Sequence, residues 1–232
     1  PPPDLAQVLD ETPSDRFGVL DMGSTSFRVL VADVTRSGRI TPVATEKRML
    51  RLGAVVASHG EFPPESADAV VEAARELARV AQSAGVQRLF TVGTAALRDA
   101  SNGRWLSERI GIALGQPVRV LDGEEEGRLA FAAFRRRVLM GRGIALGADL
   151  GGGSIQLCLG DENGPHWAKS FPIGVTRLHR ELVEGDPMSA ESIVDVRARV
   201  RETLERARHR SAEPQSCVQG GSVALGGGQL VL

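Results

Sequence analysis

The sequence predicts an α/β protein built from two lobes, and three observations lead to that class. Apolar, strand-like segments alternate with segments of helical periodicity along the 232 residues. Two glycine-rich loops, Asp21–Ser26 and Asp149–Ser154, each follow such a strand. The order of strand, glycine loop and second strand therefore occurs twice, which indicates a repeated architecture.

The elements of the first lobe follow from apolar spacing and from turns. The Pro63-Pro64 pair halts the chain, and apolar residues then recur at helical spacing until Gly85. Short apolar runs bounded by glycine or polar residues are typical of strands. The segments predicted for this lobe are the strands Phe17–Leu20, Phe27–Ala32, Ile40–Lys47, Leu89–Val92 and Val118–Leu121, and the helices Glu65–Ala84, Arg104–Leu114 and Gly123–Arg137.

The second lobe is predicted to repeat this opening after a glycine-rich boundary at Met140–Gly143. Its segments are the strands Ile144–Ala148, Ser154–Leu159 and Trp167–Phe171, the helix Ser189–His209, and a new strand-and-glycine pattern at Cys217–Ser222. We therefore expect a leader or disordered segment over residues 1–15, an N-terminal lobe over 16–140 and a C-terminal lobe over 141–232. That last lobe is expected to be curtailed.

Composition excludes several classes of function. The net charge of −1 gives no general attraction to nucleic acid or to anionic membranes, and an aromatic content of 4% without tyrosine argues against base stacking. The two cysteines give no disulfide framework, which favours a reducing compartment. No apolar run approaches the roughly 18 residues that cross a bilayer, and no signal peptide is evident. A cytoplasmic protein is the expectation.

The two loops are candidates for phosphate binding. Glycine lets an anion approach backbone N–H groups without a Cβ in the way. A single glycine turn after a strand is more often only a tight turn, but a matched pair, each with a leading aspartate, is more specific. The leading Asp21 and Asp149 suit a metal ion or a catalytic water. The candidate phosphate-binding residues are Gly23, Ser24, Thr25, Ser26, Gly151, Gly152, Gly153 and Ser154.

Charged residues near these motifs are candidates for catalysis. Arg28 and Arg98 could hold phosphate oxygens in bidentate geometry, although an isolated arginine is more simply a surface residue. The acidic run Glu124–Glu126 opens a helix, where the helix dipole favours carboxylates. A carboxylate there could also take a proton from an attacking water, and spacing alone leaves both interpretations open.

Five stretches resemble one enzyme family in type and in order. They are Asp21–Arg28, Gly93–Ala100, Gly123–Leu129, Asp149–Ser154 and Phe171–Leu178. Together they are similar to the motifs of the exopolyphosphatase and guanosine pentaphosphate phosphatase family, Ppx/GppA. The resemblance extends from about Phe17 to Ser222, which is nearly the whole chain.

This resemblance implies two actin-like, ribonuclease-H-like lobes of the ASKHA superfamily, with the active site in the interlobe cleft. It also implies a Mg²⁺-dependent enzyme that releases terminal phosphate from polyphosphate or the 5′ γ-phosphate from pppGpp. By resemblance Glu126 activates water, Arg28 and Arg98 hold phosphate, and Asp21 and Asp149 lie near the metal. Members of the family often form homodimers.

Two residues depart from the family pattern. Gln156 stands where a glutamate is usual, so the third candidate metal ligand keeps an oxygen but loses its charge. Thr25 stands where asparagine is usual and keeps a hydroxyl. The change at Gln156 leaves open an alternative, a polyphosphate- or alarmone-binding protein with weakened turnover. A sugar or acetate kinase of the same superfamily is a more distant alternative.

Overall fold

A computed structural model describes residues 13–138, 143–210, 224–226 and 229–231 of the chain. The chain divides between Val120 and Leu121 into two compact units. Each unit contains a five-stranded sheet together with its own helices. The predicted α/β class with two lobes is confirmed.

The sheet of the first unit has the strand order β3-β2-β1-β4-β5. The first three strands are antiparallel neighbours, whereas β4 and β5 run parallel to β1. The strands are β1 Pro13–Met22, β2 Ser26–Thr35, β3 Ile40–Met49, β4 Arg88–Gly93 and β5 Arg119–Val120; the helices are α1 Leu52–His59, α2 Pro64–Ser83, α3 Ala95–Asp99 and α4 Gly103–Leu114.

The core of the first unit lies between one face of this sheet and α2. Leu20, Phe27 and Val29 are fully buried on that face, because alternate strand residues point to the same side. Helix α2 faces them with buried Ala74 and Leu77, which lie about one turn apart. This packing fixes the carboxyl end of β1, from which the first glycine loop begins.

The second unit repeats the antiparallel half of this design in a sheet of order β8-β7-β6-β10-β9. Strands β6, β7 and β8 are antiparallel neighbours, as are β1, β2 and β3. The strands are β6 Ala145–Leu150, β7 Ile155–Asp161, β8 Gly164–Phe171, β9 Ala224–Gly226 and β10 Gln229–Val231; the helices are α5 Gly123–Arg137, α6 Val175–Leu182 and α7 Ala190–Arg210.

Helix α5 packs on β7 and β8 of the second unit. Its Phe131 and Phe134 are buried in a small core with Cys158. Burial raises the pKa of the Cys158 thiol to about 11, as expected of a cysteine that serves as a core residue. The helix that the sequence placed at the end of the N-terminal lobe therefore packs with the second unit.

Most predicted elements are present, and the differences are short ones. Strand β1 begins at Pro13, inside the segment expected to precede the fold, and β3 extends to Met49. The sequence missed α1, α3 and α6, which have five to eight residues each and are too short for a clear helical period. The pattern at residues 217–222 lies outside the described residues. No helix in the described part is both long and apolar enough to cross a membrane.

Candidate functional site

The two glycine loops form the same turn in their respective units. In the first, the Gly23 N–H donates to the Ser26 carbonyl at 3.1 Å. In the second, the Gly151 N–H donates to the Ser154 carbonyl at 2.9 Å. Each turn therefore closes a hairpin of the same length, although the residues inside it differ.

Because the turns match, the residues beside them occupy matching positions. Asp21 lies directly opposite Arg28 across β1 and β2. Asp149 lies directly opposite Gln156 across β6 and β7. Gln156 is thus the counterpart of Arg28 in the repeat, a correspondence that the sequence alone did not reveal.

The carbonyl groups of the first loop are bound by the segment that enters α1. The N–H groups of Leu50 and Arg51 donate to the Thr25 carbonyl at 3.1 and 2.8 Å, and the Gly53 N–H donates to the Ser24 carbonyl at 2.7 Å. A Cβ on Gly53 would lie 2.9 Å from the Ser24 Cβ, so the approach requires glycine. These bonds hold the loop from its carbonyl side.

The second loop is bound in the same way by the start of α6. The Val175 N–H donates to the Gly151 carbonyl at 3.0 Å, and the Thr176 N–H donates to the Gly152 carbonyl at 2.9 Å. A Cβ on Gly174 would collide with the backbone of Gly152. The same device, a helix start with a nearby glycine, therefore fixes both loops.

This arrangement leaves N–H groups for a ligand. Within the described residues, the N–H groups of Ser24 and Thr25, and those of Gly152 and Gly153, donate to no protein acceptor. Successive N–H groups at such a turn form a concave site for an anion. Both loops can therefore bind phosphate oxygens through their backbones.

The two candidate arginines both belong to the first unit. Arg28 is exposed on β2, and its guanidinium has no ion pair among the described residues. Arg98 lies on α3 and is partly buried, with its Nε 3.5 Å from the Asp99 carboxylate. The Thr94 N–H donates to the Met22 carbonyl at 3.3 Å, which ties the start of α3 to the end of β1. Both arginines are thereby carried by elements that adjoin the first loop.

The acidic run at the start of α5 divides into distinct roles. The Asp122 carboxylate caps the helix by accepting the Glu125 N–H at 2.8 Å. Glu124 forms an ion pair with Arg128 at 2.8 Å, one turn further along. Glu126 is half-buried on the same first turn. The ion pair thus accounts for the carboxylate of Glu124, whereas the helix cap involves only the backbone N–H of Glu125.

Glycines on α5 bring the helix against the strands that carry Gln156. A Cβ on Gly127 would lie 3.1 Å from the Ala168 Cβ and 3.6 Å from the Gln156 Cβ. A Cβ on Gly123 would collide with Ser170. The helix turn that bears Glu126 therefore packs directly over Gln156 within the second unit.

Gln156 is at the centre of a buried polar cluster. Its side chain is 3% exposed, and its Nε2 donates to the Ser154 Oγ at 2.7 Å and to the Ser170 Oγ at 3.1 Å. A glutamate could only accept hydrogen bonds from these hydroxyl groups. The amide instead donates to both hydroxyl oxygens.

An aspartate stands beside each glycine loop, and a carboxylate is a kind of ligand that magnesium accepts. Among the described residues, no three histidine, cysteine, aspartate or glutamate side chains are grouped to hold a metal. Magnesium is commonly held by one or two carboxylates together with substrate phosphates. Asp21 is exposed and Asp149 is half-buried, and each stands next to its loop. Gln156 contributes no charge to such a site.

The structure thus groups the predicted residues by unit. Glu126, Asp149, Gln156 and the second loop share the second unit, whereas Asp21, Arg28, Arg98 and the first loop share the first. Sequence reasoning did not single out the residues that fix the loops. They are Arg51 and Gly53 in the first unit and Gly174 and Arg177 in the second. The Arg51-Leu52-Gly53 sequence could have been noticed as a glycine close after a strand.

Comparison with known proteins agrees with the resemblance in the motifs. Residues 30–222 match the Ppx/GppA phosphatase family. This chain belongs to the Ppx/GppA family. The match extends over both units, but it leaves out β1, the first loop, the start of β2 with Arg28, and strands β9 and β10.

Two relatives of this Ppx/GppA chain bear names that state an activity. Exopolyphosphatase 1 of Mycobacterium tuberculosis is 36% identical over 182 residues, which are 78% of this chain and 53% of the relative. A guanosine-5'-triphosphate,3'-diphosphate pyrophosphatase of Vibrio parahaemolyticus is 32% identical over 148 residues, which are 64% of this chain and 29% of the relative. The chain spans about half the length of the exopolyphosphatases that it matches.

Solved structures of the family show the same fold. An exopolyphosphatase from Cytophaga hutchinsonii has a TM-score of 0.76 and 30% sequence identity, over 86% of this chain and 65% of that one. The Ppx/GppA protein of Aquifex aeolicus has a TM-score of 0.66 and 26% identity, over 86% of this chain and 63% of that one. The two units of this chain therefore have the fold of the family.

Proposed function

We propose that this protein is a Mg²⁺-dependent phosphohydrolase that releases terminal phosphate from inorganic polyphosphate, from the 5′ end of pppGpp, or from both. The observation that carries the proposal is the matched pair of glycine turns. In each turn, N–H groups that donate to no acceptor among the described residues lie beside an aspartate. Membership of a phosphatase family and the names of the relatives support it.

Glu126 is the proposed general base. It is half-buried on the first turn of α5, and by the family resemblance it is the residue that activates water. Its helix turn packs over Gln156, next to the second loop. Glu126 accepts a proton from water as the water oxygen attacks the terminal phosphorus and the bond to the leaving phosphate oxygen breaks.

The remaining charges are assigned to phosphate. The exposed guanidinium of Arg28 and that of Arg98 bind the oxygens on which negative charge lies in the transition state. Asp21 and Asp149 are the carboxylates proposed to hold Mg²⁺ together with those oxygens. The metal, when bound, neutralises part of the phosphate charge.

Phosphate release provides the direct test. The chain is incubated with polyphosphate and, separately, with pppGpp, with Mg²⁺ present or chelated. We expect release from at least one substrate with Mg²⁺ and none with the chelator. No release from either substrate, in a preparation that is shown to be folded by circular dichroism, would refute the proposal.

A second function is favoured by one observation, the buried neutral amide of Gln156. A phosphate-binding protein with weak turnover would retain both loops while lacking the charge of the usual glutamate. This alternative predicts submicromolar binding of polyphosphate together with negligible release. Equilibrium binding and turnover, measured on the same preparation, separate the two functions.

A further inference from the structure

Arg51 has an unusual backbone conformation. Its φ of 53° and ψ of 35° place it in the left-handed region, and it is the sole non-glycine residue with positive φ in the part of the chain that the structure describes. Residues other than glycine, asparagine and aspartate rarely adopt this backbone conformation, because the Cβ atom then crowds the following carbonyl oxygen. An arginine at a left-handed position costs stability, so its presence there calls for an explanation.

The conformation seats Arg51 on the first glycine loop. The Arg51 N–H donates to the Thr25 carbonyl at 2.8 Å, and the Gly53 N–H donates to the Ser24 carbonyl at 2.7 Å. The loop is thus held by backbone bonds that any residue at position 51 could supply. The side chain of Arg51 takes no part in them.

The side chain of Arg51 also makes no polar contact with the described residues. Arg51 is exposed, and its guanidinium has no ion pair or hydrogen bond among the described residues. Arg48, three positions earlier, is by contrast bound to Glu46 and Glu76 at 2.8 and 3.0 Å. The strained position therefore carries a positive charge with no partner in the described part of the chain, next to a loop whose Ser24 and Thr25 N–H groups find no acceptor there.

We infer that Arg51 is a substrate-binding residue whose guanidinium contacts phosphate oxygens at the first glycine loop. The inference rests on the proposed function, since it takes the phosphate-bearing substrate from there. Glycine at position 51 would keep the loop bonds and relieve the backbone, so stability gives no reason for an arginine. A planar, permanently charged side chain is suited to phosphate.

The test separates the side chain from the backbone. Arg51→Gly removes the charge and also the cause of strain, and Arg36→Gly removes the same charge from an exposed arginine in the β2–β3 turn. Binding of polyphosphate is measured at equilibrium, and thermal unfolding is measured in parallel. Arg51→Gly is expected to unfold no lower than the wild type, while its Kd for polyphosphate rises roughly tenfold. Arg36→Gly is expected to bind like the wild type.

Each outcome decides the question. Equal affinities of the two variants would overturn the inference, as would a lower unfolding temperature of Arg51→Gly accompanied by unchanged affinity. Should Arg51→Gly not fold, Arg51→Asn, which tolerates the left-handed region, must show the same loss of binding. Wild-type binding without phosphate release would refute the proposed hydrolysis. The affinities of the variants would then still decide whether Arg51 binds polyphosphate. Absence of wild-type binding would overturn both.

Discussion

The first and second glycine hairpins have the same backbone hydrogen bond, but the residue opposite the aspartate is charged in the first and neutral in the second. Both close with the same N–H to carbonyl bond, and both place an aspartate opposite the residue seven positions later. In the first hairpin that residue is the exposed Arg28, and in the second it is Gln156, which is 3% exposed. A repeated turn thus fixes where a phosphate can bind, while the opposite residue determines the local charge.

A second pair of arginines shows the same contrast. Arg51 and Arg177 both stand at the start of the helix that holds a loop, and both donate a backbone N–H to a loop carbonyl. The Arg177 Nε additionally donates to the Gly153 carbonyl at 3.2 Å, whereas Arg51 makes no such bond. Arg177 thus fixes its loop through its backbone and its side chain, whereas Arg51 fixes its loop through its backbone, and phosphate binding is the proposed role of its side chain.

Among the changes that compare the two hairpins, the largest expected effect is at Arg28. Arg28→Gln places in the first hairpin the side chain that the second one has. Because it removes a charged donor from the phosphate, we expect kcat/KM to fall about 100-fold. Arg28→Lys keeps the charge without the bidentate geometry and should lose less. Steady-state phosphate release checks the order, and equal activity of Arg28→Gln and the wild type would contradict the contrast between the hairpins.

The next effect compares the loss of stability when alanine replaces the glycine that packs against each loop. Gly174→Ala forces a Cβ against the Gly152 backbone, whereas Gly53→Ala forces one against the Ser24 side chain at 2.9 Å. Backbone yields less readily than a side chain, so we expect Gly174→Ala to lower the free energy of unfolding by about 1–3 kcal/mol, more than Gly53→Ala does. Urea denaturation measures both. Gly143→Ala, which meets nothing within 4 Å, is the control.

A smaller effect is expected when the usual family residue is restored at position 156. In Gln156→Glu the carboxylate accepts from the Ser154 and Ser170 hydroxyl groups and adds a negative charge beside Asp149. Magnesium binding should strengthen, and turnover should rise several-fold, roughly the effect of one added ligand charge. Titration of turnover with Mg²⁺ tests this, and Gln156→Ala serves as the control for burial. An unchanged Mg²⁺ dependence would exclude the amide as the cause of weak turnover.

The smallest effect compares the ion pairs of the two units. The Arg16 guanidinium holds the pKa of Asp33 below its usual value through a hydrogen bond, and a hydrogen bond with His166 does the same for Asp161. A lowered carboxyl pKa contributes stability above the unfolded pKa, and this is lost as the pH falls through the folded pKa. Arginine keeps its charge at high pH, whereas histidine side chains generally lose theirs.

Asp33→Asn should therefore lower the unfolding temperature equally at pH 7 and pH 9. Asp161→Asn should lower it less at pH 9 than at pH 5. Both losses should shrink as the pH falls through the lowered pKa of each carboxyl group, since the wild-type carboxyl group then becomes protonated. Thermal unfolding of the two variants across this pH range provides the measurement, and a parallel loss in both at every pH would show that the two pairs are equivalent.

The sequence predicted what depends on pattern and missed what depends on packing. Glycine, aspartate and apolar runs located both loops, because turn residues and strand periodicity are local signals. The burial of Gln156 depends on Gly123 and Gly127 letting α5 approach β7 and β8, and no local signal shows this. The conformation of Arg51 likewise depends on bonds to Thr25, which lies 26 positions earlier in the chain.

Glutamate substitution on the first turn of α5 tests the central claim most directly. Glu126→Gln and Glu124→Gln remove the same charge from the same helix turn, and Glu124 is the residue paired with Arg128. Phosphate release under single-turnover conditions with Mg²⁺ should fall about 100- to 10,000-fold in Glu126→Gln, with polyphosphate binding retained. Glu124→Gln should change the rate by less than about twofold, as expected for loss of an exposed ion pair. Equal rates for Glu126→Gln and the wild type would contradict the account.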